Sequence, residues 1–459
     1  MHNNKVKITL QKKLNPLNVW ALAFGCIIGW GAFVMPGNTF LPSAGPGGTA
    51  IALIIGMFIM IIISFNYSYM IPKYPIAGGE FSFTKETLGT KNAFICAWFL
   101  VLAYIANVPM NSSALGLVGR YLFPGLLQKK HLYTVAGYDI YLGEVIFSVS
   151  TLIILALFSI CGISVSGWLQ TILAMSLFLC IMVLVLYALC SSAASIRNLY
   201  PLFVRNKETM HISWKGIISV LAVSPWAFVG FDTIPQASEE FNFPMKKVNF
   251  IMIIAMLFGA FVYIAMNTIT ASVFPWENFL KENYAWATGA AIKTLMGIPG
   301  LIILGCAIIS AILTGILGFL MASSRLIYSL ACSDYLPEWF AKLHPKYKTP
   351  VHAIFFCLLV SVWGPWLGRQ ALSWFVDMSA VGAAIGYGYT CIDSFIQQKK
   401  DKTQKLWLKA SAVLGTGFSF LFIIMLVFPG LPAYLAFPSR IMLFCWIILG
   451  VLFYRFRLM

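Results

Sequence analysis

Apolar runs of roughly twenty residues, separated by short polar stretches, recur from one end of the chain to the other. A helix of that length crosses about 30 Å of hydrocarbon. The pattern predicts twelve transmembrane helices, near residues 17–42, 46–72, 91–122, 141–161, 165–193, 216–238, 248–274, 297–331, 351–368, 373–396, 406–429 and 434–454. The first and the sixth are interrupted by glycine. One reads Gly25-Cys-Ile-Ile-Gly-Trp-Gly-Ala-Phe-Val-Met-Pro36, the other Ser224-Pro-Trp-Ala-Phe-Val-Gly-Phe-Asp-Thr-Ile-Pro235. Glycine weakens a helix, and irregular backbone at membrane depth persists only where protein or a water-filled cavity covers it. Interrupted spans in matching positions of two halves point to the binding site of a transporter.

Composition agrees with the pattern. The 459 residues are 60% hydrophobic and 10% charged, where a soluble chain carries about 25% charged residues. Mean hydropathy is +0.85. The expected class is an all-α polytopic membrane protein forming one integral domain in the lipid bilayer. A net charge of +16 does not indicate a nucleic-acid partner, because the basic residues sit in short loops and at the ends rather than on one amphipathic face. Clusters such as Lys73, Lys85 and Lys91, or Lys399, Lys400, Lys402 and Lys405, fall in loops that place both termini in the cytoplasm. The basic loop from Arg197 to Lys207 runs against that bias. Ten scattered cysteines without a Cys-x-x-Cys pair indicate neither a metal site nor a disulfide. No cleavable signal peptide is visible, and the short loops suit a bacterial inner membrane.

Spans 1–5 (residues 17–193) and 6–10 (residues 216–396) read as two repeats, and an odd number of spans in each makes them inverted. Gly29 to Pro36 has the spacing of Phe228 to Pro235, which pairs Gly31 with Gly230. The polar stretch Pro75 to Phe83 has an expected counterpart in Glu277 to Thr294. Residues 1–16 form a cytoplasmic N-terminus, and spans 11 and 12 (406–454) lie outside the repeat, serving packing or oligomer contacts in a monomer or homodimer.

Four separated motifs follow one another in order: Gly25 to Phe33, Pro75-Ile-Ala-Gly-Gly79, Gly230-Phe-Asp232 with Glu239-Glu240, and Ser324 to Leu330 through Asp334-Tyr-Leu-Pro337 and Thr349-Pro350. Together they resemble the amino acid–polyamine–organocation (APC) permease superfamily over the first ten spans. The sixth span is similar to cationic amino acid transporters and to the arginine/agmatine antiporter. The resemblance implies the five-plus-five inverted-repeat fold with helices 1 and 6 broken. It also implies transport of an amino acid or related amine by alternating access.

In such a fold the first break exposes N–H groups at the start of a half-helix, which suit a carboxylate. Ile27, Ile28, Gly29, Trp30 and Gly31 supply that half of the site. Carbonyls of Trp226, Ala227 and Phe228, ahead of Gly230, suit an ammonium group. Taken alone, a Gly-x-Gly in a membrane helix also serves close helix packing. Trp30 departs from the family, which most often has a small residue there; an indole either narrows the pocket or points into a neighbouring helix. The resemblance further places Trp226 and Phe319 as pocket aromatics, and Asn107 and Met110 as contacts of the substrate side chain. Asn111 lies one turn from Asn107. Packing and interhelical hydrogen bonds are the alternatives for these residues.

Asp232 is an intramembrane acid beside a break, a functional position by default. It either binds a cationic substrate, carries a proton, or caps freed N–H groups. Glu80, Glu239 and Glu240 are expected at the cytoplasmic surface, pairing with Arg325, Lys85 or Lys246 to close an inner gate. Asp377 is expected to start span ten. No cofactor and no metal is expected beyond a coupling proton or sodium ion. Several relatives carry a lysine in span five in place of sodium; here Ser176 lies near that position. Ser310, Thr314 and Ser323 are the hydroxyls available to sodium.

The leading expectation is a secondary amino acid permease, importer or exchanger. An amine or polyamine carrier or a precursor/product antiporter is the alternative, and a non-transporting sensor is a further one. Neither His-Glu-x-x-His nor Gly-x-Ser-x-Gly occurs, so an enzyme is not expected.

Overall fold

The computed structural model describes residues 10–135, 137–206, 211–282, 284, 286–402 and 405–458. Most of the N-terminal segment assigned to the cytoplasm, residues 1–9, and the end of the basic loop, 207–210, lie outside the described residues.

Most of the chain is helical. Helix α1 (Pro16–Ile28) opens on a reciprocal cap in which Asn15 Oδ1 accepts the Asn18 N–H at 2.9 Å and Asn18 Oδ1 accepts the Asn15 N–H at 3.2 Å. It stops at Gly29, whose φ of 46° glycine adopts without strain. After Trp30 the chain re-enters a helix, α2 (Gly31–Met35), and a π-helical turn over Pro36–Phe40 leads into α3 (Leu41–Met70), kinked at Gly45 with Pro46 following. Then come α4 (Glu80–Leu88), α5 (Thr90–Leu122), a hairpin of β1 (His131–Val135) and β2 (Tyr138–Tyr141), α6 (Leu142–Ile160) and α7 (Ile163–Cys190). The sixth apolar run is in pieces. It consists of α8 (Trp214–Ala222), the single turn α9 (Ser224–Ala227), and 3-10 turns over Phe231–Thr233 and Pro235–Glu240. Helices α10 (Val248–Ser272), α11 (Trp276–Lys281), α12 (Ala287–Cys332, bent at Gly297), α13 (Val351–Ser361), α14 (Gln370–Lys400), α15 (Leu406–Val427) and α16 (Phe437–Leu458) complete the chain.

Among the described residues, eight helical stretches are long and apolar enough to cross a membrane, the longest being Pro16–Met70 and Ala287–Cys332. The broken sixth run and the 11-residue α13 fall short of that length. Their outer surface is apolar: Trp168, Leu189, Phe250, Phe420 and Phe444 all stand exposed on α7, α10, α15 and α16. So large an exposed apolar surface is the lipid-facing belt of an integral membrane protein.

Among the long apolar helices α5 is the most enclosed. Gly382 and Gly386, four residues apart on α14, leave no room for a Cβ against Phe99, Ala103 and Leu100 of α5, the small-residue contact that lets membrane helices approach closely. Polar ties hold α14 at the end bearing α4. Thr84 and Thr87 of α4 donate to the Asp393 carboxylate at 2.6 and 2.5 Å. Just past α14, Asp401 accepts hydrogen bonds from Lys73 and Tyr69, and these, Lys73 first, hold its carboxyl below the usual carboxylate range.

The sequence pattern gives no signal for the hairpin between α5 and α6, which is short and held by pairing over four positions. Asp377 does not start a helix: it lies inside α14. Its Oδ2 accepts the Ala436 N–H at 3.3 Å and the Ser439 hydroxyl at 2.6 Å, so it holds the start of α16 instead.

Candidate functional site

The two breaks meet. Gly230, with a φ of 140°, lies against α1 so closely that a Cβ on it would fall 2.7 Å from both Cys26 Cβ and Ile27 N. A Cβ on Gly31 would fall 2.5 Å from Cη2 of Trp226. The Trp30 and Trp226 ring centroids are 5.9 Å apart, tilted by 51°. Of the two orientations open to Trp30, the structure shows the indole turned toward the other break and bordering an outer cavity.

Tyr263 of α10 donates its hydroxyl between the carbonyls of Ile27 and Ile28, each at 3.3 Å, and so satisfies the end of α1. At the second break the Trp226 carbonyl accepts the Val229 N–H at 3.1 Å and is not free. The carbonyls of Ala227 and Phe228 accept no such bond among the described residues.

Asp232 is fully buried and committed to the break. Its Oδ1 accepts the Gly230 N–H at 2.7 Å, and Tyr104 of α5 donates its hydroxyl to the Asp232 carbonyl (2.9 Å) and to Oδ2 (3.2 Å). The titratable groups around it are Glu80, Cys26, Tyr67, Tyr104 and Tyr387, with no basic side chain among them. Phe319 of α12 stacks on Tyr104, centroids 6.3 Å apart.

Asn107, Met110 and Asn111 are buried on α5. Asn107 donates to the Ala103 carbonyl and to Ser379 Oγ of α14, both at 2.7 Å. Asn111 donates to the Asn107 carbonyl at 2.8 Å, and its Oδ1 faces Gly29, 3.7 Å from where a Cβ would stand. That oxygen and Trp30 Nε1 are buried without a hydrogen-bond partner among the described residues. Buried polar atoms of this kind are costly unless something completes them.

Glu80 corrects the sequence reading. It is fully buried rather than at a surface, and it accepts the Gln236 Nε2 amide at 2.5 Å instead of pairing with Arg325, Lys85 or Lys246. The glycines before it, Gly78 and Gly79, turn the start of α4 inward against Ser329 and Pro235. Glu239 is held by the N–H groups of Leu10 (3.2 Å) and Ala77 (3.1 Å). Glu240 does meet Arg325, at 2.9 Å from Nε, and both are buried. The Glu240 carbonyl also accepts the N–H groups of Lys13 and Leu14, each at 2.9 Å. This end of the molecule is closed around Glu80 and Glu240, beside a cavity of about 360 Å³ bordered by Tyr74, Lys85, Glu239 and Tyr328.

The opposite end, which bears the hairpin, is open. One cavity of about 950 Å³ reaches from Gly137, Arg369 and Gln370 down to Trp30 and Val34. A second, of about 570 Å³, is bordered by Arg120, Tyr121, Trp286 and Lys293. The two share Val34, Leu117, Tyr138 and Arg369.

Three side chains central to this arrangement escaped the sequence reading. Tyr104 and Tyr263 are single tyrosines in apolar runs, without a pattern to mark them. Gln170 carried a signal, as a lone amide in span five. It is buried, and its Nε2 donates to the Thr314 carbonyl (3.1 Å) and the Ala21 carbonyl (3.4 Å). Ser176 instead lies 3.5 Å from Ser310 Oγ. Thr314 and Ser323 spend their hydroxyls on carbonyls of α12, at 2.9 and 2.6 Å.

A family model described as amino acid permease matches residues 14–453. The branched-chain amino acid permease BcaP of Bacillus subtilis (strain 168) is 23% identical over 97% of this chain and 93% of its own length. The methylthioribose transporter of the same strain is 27% identical over 74% of this chain and 72% of its own. Cationic amino acid transporter 4 of Mus musculus is 23% identical over 85% of this chain and 60% of its own.

Proposed function

The chain belongs to the amino acid permease family, and on that footing we propose that it is a secondary permease carrying an amino acid across the membrane by alternating access. The observation that carries this reading is the contact of the two breaks through Gly31 with Trp226 and Gly230 with Ile27. Substrate binds there. Its carboxylate takes N–H groups at the start of α2, with Trp30 Nε1 beside them, and its ammonium group takes the carbonyls of Ala227 and Phe228 and Asn111 Oδ1. Met110, Phe319 and the two indoles wall the side chain.

Twelve spans in two inverted repeats, 17–193 and 216–396, with 406–454 outside them, accommodate this site. Helix α4 and the Ala287–Met296 part of α12 occupy corresponding places in the two repeats, which supports that relation. Alternation opens and seals the two ends in turn. Glu80, bonded to Gln236, and Asp232, bonded to Tyr104, lie between the site and the closed end and act as its gate. With the termini in the cytoplasm of a bacterial cell, the hairpin end faces out.

Sodium coupling is disfavoured. The Gln170 amide donates to the Ala21 and Thr314 carbonyls, and an N–H donor there takes the place of a cation between α1 and α12. The two buried acids without a basic neighbour suit a proton instead. Counterflow of radiolabelled amino acids in proteoliposomes, competed by each of the twenty amino acids and by simple amines, tests the proposal. Accumulation supports it, and none with any compound overturns it.

A further inference from the structure

The open end carries an arginine with nothing to do. Arg369, at the start of α14, borders both outer cavities, yet its guanidinium makes no hydrogen bond or ion pair among the described residues. The charged groups around it do not neutralise it. Arg120 is occupied: its Nε and Nη2 donate to the Glu144 carboxylate at 2.6 Å each, and its guanidinium lies 4.2 Å from the centroid of the Tyr138 ring. Glu144, which borders Arg369 across a gap of about 20 Å³, is therefore spent on Arg120. Lys293 adds an exposed cation to the smaller cavity. The acid in the larger cavity, Asp377, lies two turns along α14, about 12 Å away, and its Oδ2 already holds the start of α16.

The path from this mouth ends at Trp30, and neither Asp232 nor Glu80 lines the two cavities. Asp232 is bonded to Gly230 and Tyr104 and Glu80 to Gln236, both away from the cavity walls. A substrate with a cationic side chain therefore meets uncompensated positive charge on the way in. A carboxylate meets the reverse: an unpaired guanidinium, whose planar fork binds carboxylates in a bidentate manner.

Resting on the permease reading, we propose that Arg369 is a capture residue. It takes the carboxylate of incoming substrate in the outer vestibule and makes the protein selective for amino acids without a cationic side chain over cationic amino acids and polyamines.

The test is uptake kinetics in proteoliposomes with leucine, glutamate, arginine and putrescine as labelled substrates or competitors. The variants are Arg369→Gln, Arg369→Lys and Arg369→Glu, with thermal unfolding of each purified protein as the folding control. Leucine uptake by R369Q is expected to show a KM raised about tenfold with kcat changed less than about twofold, the signature of lost binding rather than lost turnover. R369K retains most of the wild-type KM, and R369E lets arginine compete about tenfold better than it does in the wild type. An unchanged leucine KM in R369Q overturns the inference while leaving the permease intact. So does wild-type uptake of arginine as efficient as that of leucine. Wild-type vesicles that take up no amino acid overturn the functional reading, and the inference with it.

Discussion

Trp226 rests on Gly31, its Cη2 standing 2.5 Å from where a Cβ would be. The sixth apolar run therefore fixes what the first may hold at that position, and only glycine leaves room. Gly31→Ala should lower uptake at least about tenfold, because the indole must move out of the space between the breaks. In Trp226→Leu the same glycine substitution should cost much less. Uptake by the two single variants and the double variant forms a cycle. Additive losses would show that the contact does not couple the breaks.

Asp232 presents its two oxygens to Gly230 and Tyr104, and among the described residues no basic side chain adjoins it. Asp232→Asn keeps an acceptor for the Gly230 N–H but removes the ionisable group. Uptake should fall, and what remains should lose the wild type's response to pH. A variant with wild-type uptake and a wild-type pH profile would reduce Asp232 to a cap of the helix break.

Arg325 and Glu240 close the end opposite the vestibule as a buried pair. Removing one partner strands the other charge, so Glu240→Ala or Arg325→Ala should each cost about 3–5 kcal/mol. Removing both should cost less than the sum, because no lone buried charge is left. Thermal unfolding of the three variants in detergent measures this, and strictly additive losses would count against the pair.

Much of this was written in the linear pattern, and the reason is physical. A membrane helix must satisfy its own backbone, so apolar length and glycine interruptions show in sequence, and the breaks at Gly29 and Gly230 were found that way. The pairing of Glu240 with Arg325 was legible only as one of several combinations of Glu80, Glu239 and Glu240 with Arg325, Lys85 and Lys246, because charge alone does not choose among neighbours. The burial of Glu80 was not, because it depends on Gly78 and Gly79 turning α4 inward, a tertiary fact. Nor was the role of Asp377, which caps a helix sixty residues away. Tyr104 and Tyr263 find their partners across helices, and helix-to-helix register is not encoded in hydropathy.

Gln170 bridges α7 to the carbonyls of Ala21 and Thr314. Uptake should be unchanged when choline replaces sodium on both sides of the vesicle. Gln170→Ala should impair uptake without making it respond to sodium. Wild-type uptake that requires sodium would contradict this assignment.

The claim that the two breaks form one amino acid site is tested most directly by equilibrium binding of the labelled amino acid that the wild type accumulates. Wild type, Trp30→Leu, Trp226→Leu and a control, Trp407→Leu, are compared; Trp407 is an exposed residue of α15 far along the chain from either break. Saturable binding to the wild type is expected, with the affinity lowered about tenfold or more in each break variant and unchanged in the control. Wild-type affinity in both Trp30→Leu and Trp226→Leu would contradict the account.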